Sequence, residues 1–345
     1  MPKSWRKLFM LTALAVGVFG VLSVYKDLDE IGGRLLEFNP VLVGAALLLA
    51  IGNYVIRFVR WQEYLRLTGH PLPRKASGLV FVSGFSMSVT PGKVGEIFKA
   101  AMLRELTHST MARTVPIVIA ERATDLASLV LLGLLGVALY GVGRAMVVAG
   151  GVAVLFGMVV MSYRPLAYGA FRIARGMGVP RGLIARVKEL YDNLAHLLRP
   201  APLAWGTALG ALAWLCECVG FALIIWGYPG ASVNFGMAML IYAATTIAGA
   251  LSFLPGGLLV TEASMVVLLV RKAQGLDKAA AVAATLIVRL CTLWFAVVIG
   301  FLALALFRRL YPDAASHAAH VPGSDRTPSP DASSEPPVSG PPSTH

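Results

Sequence analysis

Along most of the chain, apolar residues run in near-continuous blocks separated by short charged stretches, with neither strict alternation nor a narrow amphipathic stripe. Blocks of this kind fit the ~20 residues with which an α-helix crosses about 30 Å of hydrocarbon. The pattern predicts spans at residues 8–25, 40–60, 116–140, 145–161, 203–226 and 279–307. Two further apolar segments, 76–106 and 235–270, are broken at Pro91-Gly92 and at Pro255-Gly256-Gly257. Proline removes a backbone donor and clashes with the preceding turn. In a membrane such a break persists only where protein or a polar cavity satisfies the freed backbone groups. Everything outside the breaks reads as helix, so the expected fold class is an all-α polytopic membrane protein.

Composition agrees with the pattern. Hydrophobic residues make up 57% of the 345-residue chain and charged residues 14%, with a mean hydropathy of +0.72. A soluble globule would leave much of that apolar surface in water. The first block lacks a small-residue cleavage site before a soluble region, so it reads as a retained helix. Net charge is +12, but the basic residues lie between apolar blocks and no nucleic-acid recognition signature accompanies them. Anionic lipid headgroups at the basic cytoplasmic loops are the expected partner, and nucleic acid is not. Cys216, Cys218 and Cys291 all lie in apolar blocks and have neither disulfide nor zinc spacing. No cofactor or metal is expected.

Loop charge sets the orientation. Lys3, Arg6 and Lys7 precede the first span, whereas residues 26–38 are predominantly acidic, which places the amino terminus in the cytoplasm. Arg60, Arg66, Arg74 and Lys75 then count as cytoplasmic loop charges. A single crossing by residues 76–106 would put the strongly basic stretch 162–202 outside. A segment that enters and returns on one side keeps that stretch inside, and Pro91-Gly92 lies where it would turn. The same count in the second half predicts a hairpin entering from the opposite side and a cytoplasmic carboxyl terminus. The expectation is therefore about six transmembrane helices plus two opposed re-entrant hairpins in inverted repeats, 41–161 and 203–307, within a membrane domain of residues 1–310. Residues 162–202 form an amphipathic linker with two readings, a helix at the cytoplasmic headgroups and a solvated connector. Residues 311–345 read as a disordered Pro/Ser-rich tail.

Charges inside apolar helices are the candidate chemistry. Glu121, Arg122 and Asp125 share one side of a helix, where a charge at the bilayer centre costs about 2.5–3.5 kcal/mol on insertion scales. They form either a compensated cluster between helices or a polar site in which Arg122 holds an anionic headgroup. Arg289, with Thr285 and Thr292 at helical spacing, has Glu262 and Glu217 as candidate internal partners and a substrate phosphate as the external one. Polar stripes precede both breaks, Ser83, Ser86 and Thr90 before the first, and Tyr242, Thr245, Gly249 and Ser252 before the second. At the breaks, half-helix N-termini and glycines favour the approach of an anion. Lys93 and Lys99 add positive charge to the first break, and Glu96 can cap the half-helix that follows Gly95. Candidate substrate contacts are thus Lys93, Lys99, Arg122, Arg289, Thr90, Ser86 and Tyr242. Candidates for charge compensation or proton coupling are Glu96, Glu121, Asp125, Glu262 and Glu217. No spacing marks a catalytic nucleophile–base pair.

Ser88-Val89-Thr90-Pro91-Gly92-Lys93-Val94-Gly95-Glu96, then Glu121-Arg122-Ala123-Thr124-Asp125, then Leu254-Pro255-Gly256-Gly257 with Glu262, and Arg289 before Trp294 and Gly300, occur in that order. With this set the chain resembles the flippase-like membrane family related to the transmembrane region of lysylphosphatidylglycerol synthases, from about residue 57 to residue 307. The resemblance implies that a membrane lipid is moved or handled, relatives being associated with aminoacylated phosphatidylglycerol, hopanoids or polyprenyl-linked glycans. Full synthases carry a soluble catalytic domain for which this sequence has no room after residue 307, so lysyl transfer is not expected. Leu258-Leu259 stand where many relatives have a further glycine. The leading expectation is a lipid flippase or transporter of a bacterial plasma membrane, not driven by ATP. The alternatives are a membrane enzyme acting on a lipid-linked substrate and a scaffold in which the charges only hold helices together.

Overall fold

The computed structural model describes residues 28–90, 97–140, 149, 151–152, 156–157 and 164–312. The expected first span, the first break with Pro91, Gly92, Lys93, Gly95 and Glu96, most of the span at 145–161, and nearly all of the tail lie outside the described residues.

A short helix α1 (Leu28–Glu37) leads into α2 (Pro40–Leu67). Asn39 starts α2 by accepting the Val41 amide at 3.0 Å, with Pro40 in the first turn where its missing N–H costs nothing. α3 (Arg74–Ser83) tightens into a 3₁₀ turn at Gly84–Met87 and is followed, beyond the break, by α4 (Ile97–Thr107) and the long α5 (Met111–Tyr140). The basic stretch folds as α6 (Arg164–Gly176) and α7 (Arg181–Leu197). The second half follows. A long helix α8 (Pro200–Trp226) precedes α9 (Phe235–Leu251), a 3₁₀ turn at Pro255–Gly257 and α10 (Val260–Lys272). The last long rod is α11 (Lys278–Arg289), a π-turn at Leu290–Trp294 and α12 (Phe295–Leu310).

Four of these elements are long and apolar enough to cross a membrane: Pro40–Leu67, Met111–Leu139, Pro200–Trp226 and Lys278–Leu310. Leu48, Val55 and Val59 on α2, Leu135 on α5, Leu212 on α8 and Leu302 on α12 all face outward. Such apolar belts suit acyl chains as solvent. The protein is a multi-pass helical membrane protein.

Helices α2 and α8 form the central pair and run antiparallel. Ala46 meets Gly220, Gly52 meets Cys216, Asn53 donates to the Ala213 carbonyl at 2.9 Å, and Arg60 reaches the Gly206 carbonyl. Around this pair each broken segment crosses to the other half, α9 packing on α5 and α3 on α12. The α5–α9 seam is held close by glycines, since a Cβ on Gly136 would lie 2.6 Å from the Gly236 carbonyl oxygen.

The residues that flank each broken segment lie close together. His70, just before α3, is hydrogen-bonded through Nε2 to the Ser109 hydroxyl just after α4, at 2.7 Å. Burial, then Arg113, hold the His70 pKa below its ordinary 6.5. Ser232 and Gln274, flanking α9 and α10, exchange two backbone hydrogen bonds of 3.0 and 2.9 Å. The first pair sits beside the C-terminal end of α2. The second shares the other end with the Arg34–Asp277 ion pair and the contact of Phe38 with Tyr228. At ~1.5 Å per residue these ends are about 40 Å apart.

One expectation is corrected here. Arg60 is not a loop charge: α2 continues to Leu67, and Arg60 is fully buried, at 0% exposure, two turns before its end. The run from residue 61 to 67 looks polar only because Gln62, Glu63 and Arg66 alternate with the buried Trp61, Tyr64 and Leu65.

Candidate functional site

A cavity of about 330 Å³ opens among the long helices and both broken segments. Tyr54 and Arg57 come from α2, Arg122 and Asp125 from α5, Trp214 and Glu217 from α8. Ser88 lies just before the first break, and Leu254, Gly256 and Gly257 belong to the second. Tyr242 and Gly249 of α9, Thr261 of α10, Arg289 of α11 and Thr292 of the π-turn complete the polar lining. Gly256 of the second break approaches the segment that precedes the first: its Cβ, if present, would lie 3.7 Å from the Ser88 carbonyl oxygen.

Backbone geometry at the second break is held under strain. Gly256 and Gly257 take φ of 62° and 66°, values open to glycine at little cost. Phe253 and Leu259 adopt φ of 54° and 73° without that freedom. A residue with a side chain loses about 1–3 kcal/mol there, and such strain concentrates at functional sites. Leu259 thus takes a positive-φ backbone within the second break.

Asp125 is the electrostatic centre of one wall. Its carboxylate meets Arg60 at 2.6 Å, Arg122 at 3.0 Å and Arg57 at 3.2 Å. The Arg57 guanidinium also lies over Phe85 and Trp214, 5.7 and 5.9 Å from their ring centres. On the opposite wall Arg289 pairs with Glu262 at 2.5 Å and donates to the Gly256 carbonyl at 2.8 Å, tying α11 to the second break. The π-turn directly after Arg289 inserts an extra residue into the helix, a local feature found often at functional positions. The Nε of Arg57 is buried without a hydrogen-bond acceptor. Glu217 accepts a hydrogen bond from the Tyr242 hydroxyl at 3.1 Å.

The sequence-predicted residues divide into two groups. Arg122, Arg289, Asp125, Glu217, Tyr242, Gly256 and Gly257 converge on the cavity, and Glu262 supports it from behind through Arg289. Lys99 and Glu121 do not line it. They form a buried ion pair in a separate compartment, with the Lys99 ammonium 4.4 Å from the Trp61 ring centre and 5.2 Å from that of Phe81. Ser86 and Thr90 also turn away, donating to the backbone carbonyls of Ser83 and Met87. Pro255 opens the turn that carries Gly256. Lys93, Glu96, Pro91, Gly92 and Gly95 lie outside the described residues. Sequence reasoning missed Arg57, Arg60, Tyr54 and Trp214. The available signal was α2 itself, whose two arginines three residues apart share one helical side. Among the described residues no group of three or more His, Cys, Asp or Glu stands together as a metal site.

The chain is similar in sequence to known membrane proteins. A UPF0104 membrane protein of Methanothermobacter thermautotrophicus is 23% identical over 304 residues, covering 81% of this chain and 89% of the relative. Glycosyltransferase AglD of Haloferax volcanii is 29% identical over 135 residues, which is 38% of this chain and only 20% of AglD. Residues 10–300 match the family described as the lysylphosphatidylglycerol synthase TM region. With both Pro-Gly segments and every charged residue of the cavity inside that match, the chain belongs to the family of the lysylphosphatidylglycerol synthase transmembrane region.

Proposed function

We propose that the protein moves a lipid with an anionic headgroup across the membrane, with the headgroup in the cavity and the acyl chains left in the bilayer. The observation that carries this reading is the convergence of Arg57, Arg122 and Arg289 on one cavity bounded by two broken helical segments. Guanidiniums buried in an apolar bundle are costly unless they meet anions, and phosphate suits their planar donor geometry. The lipid classes that fit are phospholipids, hopanoids with charged substituents and polyprenyl-linked glycans. No ATP is required in this scheme.

Residues 41–161 and 203–307 act as inverted repeats, and the two hairpins enter from opposite faces of the cytoplasmic membrane of a bacterium. The antiparallel α2–α8 pair, the crossed packing of α9 on α5 and α3 on α12, and hairpin feet at opposite ends support this arrangement. Both termini lie in the cytoplasm, with α6 and α7 at its headgroup level. Their outward Leu166, Ile173 and Met177 and their basic Arg172, Arg175 and Arg186 suit an anionic lipid surface.

Transbilayer movement of a labelled phosphatidylglycerol, placed in one leaflet of vesicles holding the purified protein, tests the proposal. Arg122→Ala and Arg289→Ala are expected to slow movement at least tenfold while remaining folded. Parental rates in both variants overturn the role of the cavity. The similarity to AglD favours one second reading, glycosyl or phosphoryl transfer to a lipid-linked substrate. Covalently altered lipid recovered from the vesicles would establish that reading in place of transport.

A further inference from the structure

Four carboxylates face the interior of the described bundle, Glu262 partly exposed and the other three buried, and three of the four are matched to cations. Asp125 has Arg57, Arg60 and Arg122; Glu262 has Arg289; Glu121 has Lys99. Glu217 is the exception. It sits in the middle of α8 at 7% exposure and lines the cavity. Its hydrogen bond comes from a neutral phenol, and no lysine or arginine of the described residues lies within ion-pair distance of it. A carboxylate buried without a cation is expensive, and taking up a proton removes that cost.

The surroundings of Glu217 leave room for both states. Facing it are Arg57 and Tyr54 from α2, Tyr242 from α9, Arg289 from α11, Cys291 from the π-turn, and Cys216 and Cys218 from its own helix. Arg122 and Asp125 of α5 share the same cavity. Arg57 and Arg289 are therefore the cations that a Glu217 carboxylate and an anionic headgroup would both use. An incoming phosphodiester brings a second negative charge near Glu217.

We propose that Glu217 is a proton-exchanging counter-ion, taking up a proton from water as the cavity binds an anionic lipid headgroup and giving it back as the headgroup leaves. This rests on the lipid-transport reading and names its coupling ion. The proton adds to Oε1, while Oε2 continues to face the Tyr242 hydroxyl. Because binding linkage is reciprocal, a headgroup that promotes protonation of Glu217 binds more tightly once Glu217 is protonated. Loading from the acidic face and unloading at the alkaline face then drive net lipid movement with a proton gradient.

The probe for the test is dihexanoyl phosphatidylglycerol, whose phosphodiester charge is constant across the pH range used. Its binding to the detergent-solubilised full chain is measured by calorimetry between pH 5 and 9, in pairs of buffers with different ionisation enthalpies. The parent is expected to take up protons on binding and to bind progressively more weakly as pH rises. Glu217→Gln, which fixes the neutral form, is expected to bind without proton uptake and to exceed the parent about tenfold in affinity at pH 9, converging with it at pH 5. Tyr242→Phe keeps the carboxyl group but removes the donor that favours its charged form, so its loss of affinity should begin at higher pH than the parent's. Binding of the probe to the parent with no proton uptake at any pH, or an unchanged profile in both variants, overturns the coupling while the transport reading stands. Failure of the probe to bind the folded parent at every pH removes the anion-binding cavity itself, and the coupling with it.

Discussion

At the scale of single residues, Arg60 and Asp125 separate what holds the site together from what the site does. Arg60 is inaccessible to any ligand, and its guanidinium spans Asp125 at 2.6 Å, the Thr124 hydroxyl at 3.2 Å and the Gly206 carbonyl at 3.4 Å. Truncating a fully buried side chain leaves a cavity, at a cost of about 2–5 kcal/mol. Arg60→Ala is therefore expected to lower the thermal unfolding midpoint in detergent substantially. Arg122→Ala, where the side chain is 27% exposed and Asp125 keeps two further arginines, should lower it far less. Equal losses in the two variants would contradict this division of roles. The asymmetry also marks the limit of what sequence alone could tell. Glu121, Arg122 and Asp125 announce themselves because charges in an apolar helix need partners, but their partners come from α2 and α4, far away in sequence. Spacing suggested one cluster on α5. Packing instead sends Glu121 to Lys99 and Asp125 to Arg57 and Arg60, two compartments separated by the turn of a single helix.

Among elements, the close approaches of helices govern where the broken segments sit. Gly136 of α5 faces α9 so tightly that a Cβ would lie 2.6 Å from the Gly236 oxygen and 3.0 Å from the Leu240 nitrogen. Neither backbone atom can move without shifting α9, which carries Tyr242 into the cavity. Gly136→Ala should cost about 1–3 kcal/mol by overpacking and also slow lipid movement by displacing that wall. Gly44→Ala in α2, with nothing within 4 Å of the new methyl, serves as the control and should be neutral or slightly stabilising. A Gly136→Ala protein as stable as the parent would show that the seam tolerates separation. The long helices were legible from apolar run length, and the second break from Pro255-Gly256-Gly257. The extension of α2 to Leu67 was not, because a helix end that packs against protein mixes polar and apolar positions as a loop does. Nor was the departure of Ser86 and Thr90 from the cavity, since a hydroxyl in a helix satisfies itself on a carbonyl one turn back without leaving a sequence signal.

For the whole molecule, the two ends of the bundle can be assigned to the two sides of a membrane. One end gathers the foot of the first broken segment at His70 and Ser109, the Arg113–Glu189 ion pair that joins α5 to α7, and Tyr311 stacked on Phe307. The other gathers Arg34 with Asp277, Tyr228 with Phe38, and the Ser232–Gln274 bridge. Moving Arg or Lys across a membrane is expensive, so charge counting along the loops expects the basic stretches on the cytoplasmic side and residues 76–106 returning to their side of entry. In a chain with Cys216, Cys218 and Cys291 replaced by alanine, single cysteines at Arg186 and Leu310 should react with an impermeant maleimide only after spheroplasts are opened. A cysteine at Lys272 should react in intact spheroplasts. If Lys272 and Arg186 label from the same side, the second broken segment does not oppose the first, and a lipid path between opposed hairpins has no two faces to connect. If they label from opposite sides, the cavity at Gly256 and Ser88 lies between two half-paths, each open toward a different face, which is the geometry that exchange of a headgroup between leaflets requires.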